Sequence, residues 1–384
     1  YFLDSGLQFL ELLRSRFNSI KLKMRDSPDT KPGVMRCILR TINVIKLWRE
    51  IHPRHFLDQA LVEAVRDFAE KEVDPVLPSA AKNLLNLVEK LPLLPSPELF
   101  GSEFQFDEKP PKPKKLTRGC DLENLKLHDV HPLEFARQLA LLDQQCFREV
   151  QNSELLRTNW ARPEKAELAP NILSMINIFN SLGRWVISEI VTTHDLQKRV
   201  KVMFRMIQIG YHSLKLKNFN GVMAISSGLR NNCVTRLKST WENLPNEAWD
   251  QWEEIDAITK IDESFIAMRR AIREAVLPAV PYLGLFLGDL TFGDNEPNHL
   301  AMKQIQFVNF KKMRQVASII RVVQNMQKCP YCLTELLPVQ NFLKNLKSIP
   351  ESEFFSNSQL CNTDQPAKKR RLSMSYRPGS SLDK

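Results

Sequence analysis

Apolar side chains recur at three- and four-residue intervals along most of this chain, the period of helices with one buried face. Phe2, Leu7, Leu10 and Leu13 open the pattern. Ile38, Ile42, Ile45 and Trp48 resume it after Pro32-Gly33, and Phe56 to Val73 and Ala80 to Leu91 add two further helical segments. From Leu91 to about Asn124 the period is lost. Pro92, Pro95, Pro97, Pro110, Pro111 and Pro113 fall among charges there, so the spacing predicts an extended linker. The period returns at His131-Pro132, where proline suits a first helical turn. Phe135, Leu139, Leu142 and Cys146 follow as one stripe. Pro170-Asn171 opens the next helix, with Ile172, Met175, Ile176, Phe179, Leu182 and Val186 on one face. Further helices are predicted over 197–216, 222–229, 248–258 and 264–276. No alternating strand run and no Asn-Gly hairpin signal stands out, so the predicted fold class is all-α. The predicted organisation is a helical bundle over 1–95, a linker over 96–124, a larger helical domain over 125–350 and a disordered basic tail over 351–384.

Pro281 to Pro297 departs from this amphipathic style. As a helix it is apolar on nearly every side, so it is expected to be buried or pressed against a partner. Gly284 and Gly288 lie four apart and leave one face bare. The stretch breaks at Gly293-Asp294-Asn295-Glu296-Pro297-Asn298, a loop signal. A long amphipathic helix is then predicted from about Ala301 to Gln327, carrying Met313, Val316, Ile320 and Val323. Together these make a helical hairpin with a polar tip, either a core helix pair or a wedge.

Composition narrows the function classes. The chain has 384 residues, enough for two or three domains, with 43% apolar and 26% charged residues, as in ordinary globular proteins. No apolar run reaches membrane-spanning length. The chain opens at Tyr1, which is expected of a piece of a longer protein. Seven scattered cysteines fit a reducing compartment, with a cytoplasmic setting expected. The net charge of +10 is concentrated at 112–115 and 368–371, which points to an anionic surface such as a membrane. Arg370-Arg371-Leu372-Ser373 makes Ser373 a weak kinase-site candidate, and 368–371 a weak nuclear-import candidate. No phosphate-cradling Gly-x-x-x-x-Gly-Lys loop, dinucleotide fingerprint or His-Glu-x-x-His occurs. Cys329-Pro330-Tyr331-Cys332 lacks the second ligand pair that a zinc site needs. His128 and His131 flank a helix start, where capping is the expected role. No cofactor and no metal are expected, and nucleic acid is not an expected partner.

Seven motifs in order then carry a resemblance. They are His131-Pro132-Leu133-Glu134, Phe179-Asn180 with Trp185-Val186, Asn218-Phe219-Asn220-Gly221, Arg236-Leu237-Lys238, Pro281-Tyr282-Leu283-Gly284, Asp289-Leu290-Thr291-Phe292 and Asn309-Phe310-x-Lys312-x-Arg314. Over about 125–347 the chain resembles the catalytic domain of Ras-family guanine-nucleotide exchange factors. Ile42-Asn43-Val44-Ile45-Lys46-x-Trp48 resembles the core of the Ras exchanger motif domain that precedes it, with the N-terminal part truncated. The resemblance implies exchange without covalent chemistry on a Ras-, Rap- or Ral-type GTPase, bound best when nucleotide-free. It implies a hairpin that enters beside the nucleotide and displaces magnesium and phosphate contacts, with the N-terminal domain bracing that hairpin, and recruitment from the cytoplasm to membranes. Leu290, Thr291, Phe292 and Asp294 take the wedge positions, and Ile176, Asn180, Met223, Phe265 and Tyr282 fall where the family binds the other switch. The tip is one residue shorter than the family pattern, so its acidic role falls to Asp294, to Glu296 or to neither. Arg230 replaces a usual Asn and is expected to bear on partner choice. The competing class is a scaffold that binds small GTPases without exchange; exchange requires Leu290 to Asp294 exposed and rigid.

Overall fold

In the computed structural model, residues 6–26, 31–51, 53–90, 106, 109–302 and 305–361 are described. They fall into two compact units that divide after Phe104.

The first unit is a helical bundle of α1 (Gly6–Asp26), α2 (Lys31–Ile51), α3 (Gln59–Phe68) and α4 (Pro78–Glu89). Asp58 caps α3 by accepting from the Ala60 amide at 3.0 Å, and Pro78 starts α4. The bundle closes on Phe17, Ile38, Ile42, Ile45, Val65, Phe68 and Leu84, all buried. Trp48 meets Phe9 and Phe56 edge-on and donates its indole N–H to His55 Nδ1 at 2.9 Å. Ile42, Ile45 and Trp48, which carry the short N-terminal resemblance, are therefore core residues.

The second unit is built on α5 (Pro132–Glu149), α7 (Pro170–Val191), α8 (Leu196–Lys215) and α9 (Phe219–Leu229), with the short α6 (Lys165–Leu168) leading into α7. The chain continues through α10 (Asn232–Thr235), α11 (Lys238–Glu242), α12 (Asn246–Thr259) and α13 (Asp262–Glu274) to α14 (Leu283–Asp294). After a two-stranded antiparallel ribbon, β1 (His299–Met302) with β2 (Ile305–Val308), come α15 (Phe310–Met326), α16 (Leu337–Lys344) and α17 (Glu351–Cys361). Side-chain caps mark several of these starts. His131 Nδ1 accepts from Leu133, Asp195 from Lys198, Asn218 from Gly221 and Asn309 from Lys312. Helices α7 and α9 approach closely at two glycines. A Cβ on Gly228 would lie 2.9 Å from the Gly183 carbonyl and from Val186. The core between them holds Phe135, Leu139, Val186, Ile190, Met203, Met206, Ile207 and Ile225. Among the described residues the fold is thus all-α apart from the ribbon.

Three boundaries differ from the sequence expectation. The last hairpin helix begins at Phe310, not Ala301, because the Asn309 cap starts it and the preceding residues pair as strands. Residues 109–124 are extended as expected, but they dock on the second unit rather than bridging freely. The Lys114 amide donates to Glu134 Oε2 at 2.9 Å, the Thr117 amide to the Asp129 carbonyl at 2.9 Å, and Leu116 and Cys120 pack on the core. Residues 351–361 are a packed helix rather than a tail. Phe354, Ser358 and Cys361 form a buried stripe, and Arg199, itself buried, donates to the Cys361 carbonyl at 3.2 Å. Ser373 and the 368–371 basic run lie outside the described residues, as does most of 91–108.

Candidate functional site

The helical hairpin of α14 and α15 is held at three places: its base, its flank and its tip. At the base, the amide side chains of Gln144 on α5 and Gln327 at the end of α15 pair with backbone groups. Gln144 accepts from the Tyr331 amide at 2.7 Å and donates to the Cys329 carbonyl at 3.0 Å. Gln327, at the end of α15, donates to the Phe147 and Val150 carbonyls at the end of α5. Tyr331 donates its hydroxyl to the Leu216 carbonyl at 2.7 Å, and burial raises its pKa. The strand-like step into α14 is clipped by Phe219 N–H to the Val280 carbonyl (2.8 Å) and Val280 N–H to the Lys217 carbonyl (3.0 Å). Each bond satisfies a backbone group that burial would otherwise leave unpaired.

On the flank, Arg269 of α13 forks onto Asp289 of α14 through two 2.7 Å bonds. At the tip, Lys312 is almost fully buried. Its ammonium donates to the Glu296 carbonyl at 2.7 Å, the Asn298 side chain at 2.8 Å and the Asp294 carbonyl at 3.3 Å. It also lies 3.3 Å from the Asp294 carboxylate. Asn309 adds a bond to the Pro297 carbonyl (3.0 Å) and one to the Glu296 carboxylate (3.3 Å). Both acidic candidates of the shortened tip are thus engaged within the hairpin.

On this scaffold the expected contact residues separate. Thr291 and Phe292 are exposed, Phe292 by 71%. Leu290 is buried at 3% and Asp294 is half-buried, so the expected exposed run from Leu290 to Asp294 is reduced to its middle. The reason is helical period: Leu290 shares a face with Leu283, Phe286 and Leu287, which close the core side of α14. Gly288 faces open space, whereas a Cβ on Gly284 would meet the Tyr282 ring at 2.5 Å. Only one of the two glycines leaves a bare outer face.

Tyr282 is the centre of an aromatic cluster. Its ring stacks on Phe179 of α7 at 5.4 Å and meets Phe265 of α13 at 6.2 Å. Burial raises the Tyr282 pKa, so its hydroxyl stays protonated. Asn180 is exposed beside Phe179, Ile176 is half-buried one turn earlier, and Met223 is buried in α9, which packs against α7. Phe179 and Arg269 were not among the expected contacts. The aromatic at 179 sat in a quoted motif, but Arg269 had no sequence signal. Arg230 turns inward: it donates to the Thr259 carbonyl at 2.8 Å and to Asp256 at 2.6 Å, and stacks over Trp252. These contacts tie the end of α9 to α12. His131 acts as a helix cap, as expected, and burial lowers its pKa. All seven cysteines are thiols. Among the described residues no helix is long and apolar enough to cross a membrane.

Helix α14, with Thr291 and Phe292 exposed, and the aromatic cluster around Tyr282 lie within a stretch that matches a known domain family. Residues 134–314 match the RasGEF domain family. The chain is 35% identical over 317 residues to Ras guanine nucleotide exchange factor A of Dictyostelium discoideum, covering 81% of this chain and 51% of that protein. It is 33% identical over 336 residues to Ras guanine nucleotide exchange factor P of the same organism, covering 84% and 21%. It is 28% identical over 311 residues to Protein son of sevenless of Drosophila melanogaster, covering 80% and 19%. The chain spans about half the length of the first relative and about a fifth of the other two. The chain thus carries a RasGEF domain over 134–314 and is similar to Ras guanine nucleotide exchange factors.

Proposed function

We propose that this chain accelerates guanine-nucleotide release from a small GTPase of the Ras, Rap or Ral type. The carrying observation is that Thr291 and Phe292 are exposed on a hairpin whose base, flank and tip are all tied down. In this reading the exposed pair enters beside the nucleotide, and Asn180, Ile176, Tyr282 and Phe265 hold the GTPase at a second place. Met223 supports that place from beneath. Asp294, paired with Lys312, acts by holding the tip rather than by meeting phosphate.

No covalent step is involved. The chain must bind the nucleotide-free GTPase better than the loaded one, because a ligand with equal affinity for two states shifts neither. Each tenfold gain in release rate requires about 1.4 kcal/mol of barrier lowering. Exposed aromatic and apolar anchors around a rigid centre are the kind of side chain that supplies such energy. The N-terminal bundle is proposed to be the exchanger-motif domain, on the strength of the Ile42 to Trp48 motif in its core.

The test is release of a fluorescent guanine nucleotide from a Ras, Rap and Ral panel, with wild type beside Thr291→Glu and Tyr282→Ala. Acceleration on at least one GTPase, reduced on the order of tenfold or more by each substitution, is expected. Tight binding without any acceleration would support the scaffold instead.

A further inference from the structure

Arg269 stands between the two regions that this reading assigns to the GTPase. Its guanidinium is divided between them. Nε donates to the Ser264 carbonyl at 2.8 Å. Nη1 and Nη2 donate to the two carboxylate oxygens of Asp289, each at 2.7 Å. Ser264 and Phe265 both hold left-handed backbone, with φ of 57° and 63°. Residues other than glycine adopt that region at a cost and keep it only where the surroundings impose it. This bend places the Phe265 ring against Tyr282. Asp289, at the other end of the guanidinium, lies two residues before Thr291 on α14. One planar group therefore ties the backbone beneath the aromatic cluster to the helix that carries the exposed pair. A lysine supplies no such fork, because its ammonium is a single point donor on a flexible stem.

We infer that Arg269 is a positioning residue that couples the aromatic cluster to the hairpin helix, so that both proposed GTPase contacts keep one spacing. The consequence for exchange rests on the function proposed above; the coupling itself rests on geometry within this chain. Arg269 and Asp289 are each about one-third exposed. Solvent screening keeps the pair's share of global stability small, so variants should fold.

The experiment uses the whole chain and has two arms. The first is amide hydrogen exchange of wild type, Arg269→Ala, Asp289→Ala and the reversed pair Arg269→Asp with Asp289→Arg. Arg269→Ala is expected to speed exchange in both 264–266 and 283–294, by about tenfold. Asp289→Ala is expected to speed 283–294. The reversed pair is expected to restore 283–294 but not 264–266, since aspartate cannot donate to the Ser264 carbonyl. The second arm is nucleotide release across a concentration series. Arg269→Ala is expected to lower the maximal rate about tenfold, more than it changes the half-saturating concentration. Arg269→Lys is expected to recover only part. Protection unchanged by Arg269→Ala would overturn the coupling whether or not any GTPase responds. A silent wild type in the release arm would overturn the function proposed above, with the exchange arm still deciding the coupling.

Discussion

Asp143 is enclosed between α5 and α9, with Asn218 Nδ2 on one oxygen at 2.7 Å and Asn220 Nδ2 on the other at 3.0 Å. Burial pushes its pKa from 3.8 up to about 6, and the two amide donors offset only part of that. The folded state therefore holds this proton more tightly than the unfolded chain does. Its contribution is fully present below the unfolded pKa and is lost as pH rises toward 6. A shift of about two units corresponds to roughly 3 kcal/mol. Melts of wild type and Asp143→Asn between pH 4 and 7 should change their separation by an amount of that order, with any packing cost of the amide appearing as a constant offset. Parallel curves would show that Asp143 does not titrate in this window. None of this was legible in the sequence. The asparagines stood out in a motif, but the carboxylate between them lies 75 residues from one and 77 from the other. The Arg269 fork was hidden for the same reason. Residue-scale pairings across long separations leave no periodic trace.

At the scale of elements the helices themselves were legible. Stripes such as Phe135, Leu139 and Leu142, and starts such as Pro132 and Pro170, fall where the helices lie. What periodicity could not separate was the hairpin tip, where two four-residue strands precede a helix of similar apolar content. The tip also depends on Lys312, a charge whose burial no hydropathy pattern predicts. Lys312→Met keeps the stem but removes the donors to two carbonyls and Asn298. It should destabilise the chain by about 1–3 kcal/mol and deprotect 294–298 to hydrogen exchange. Melting and exchange that match wild type would show that Lys312 does not hold the tip. Gly288 gives the converse prediction. It is exposed in mid-helix with open space at its Cβ. Gly288→Ala should stabilise α14 by about 0.5–1 kcal/mol, seen as a raised melting midpoint. If that bare face is pressed to the GTPase, the same methyl should slow nucleotide release. Faster release together with higher stability would place the contact on another face.

At the scale of the whole molecule, composition and pattern gave two helical units but set their limits wrongly. The second unit takes in 109–124 through Lys114, Leu116 and Thr117, and 351–361 through Phe354, Ser358 and Cys361. Both are short stretches with few apolar residues, and their place is fixed by partners elsewhere in the chain. Ending the chain at residue 350 removes that last buried stripe and exposes the core beneath it. Such a truncation should lower the melting midpoint clearly relative to one ending at 361; equal midpoints would make α17 dispensable. The proposed function is one of coupled binding: the chain and the nucleotide are expected to exclude each other on the GTPase. That linkage is reciprocal, so whatever the chain does to nucleotide affinity, nucleotide does to the affinity of the chain. The most direct measurement is the affinity of the whole chain for one Ras-family GTPase, stripped of nucleotide and then loaded with GDP and magnesium. A stable complex with the stripped GTPase that added GDP takes apart is expected. Equal affinity for the two forms would rule out exchange by this route.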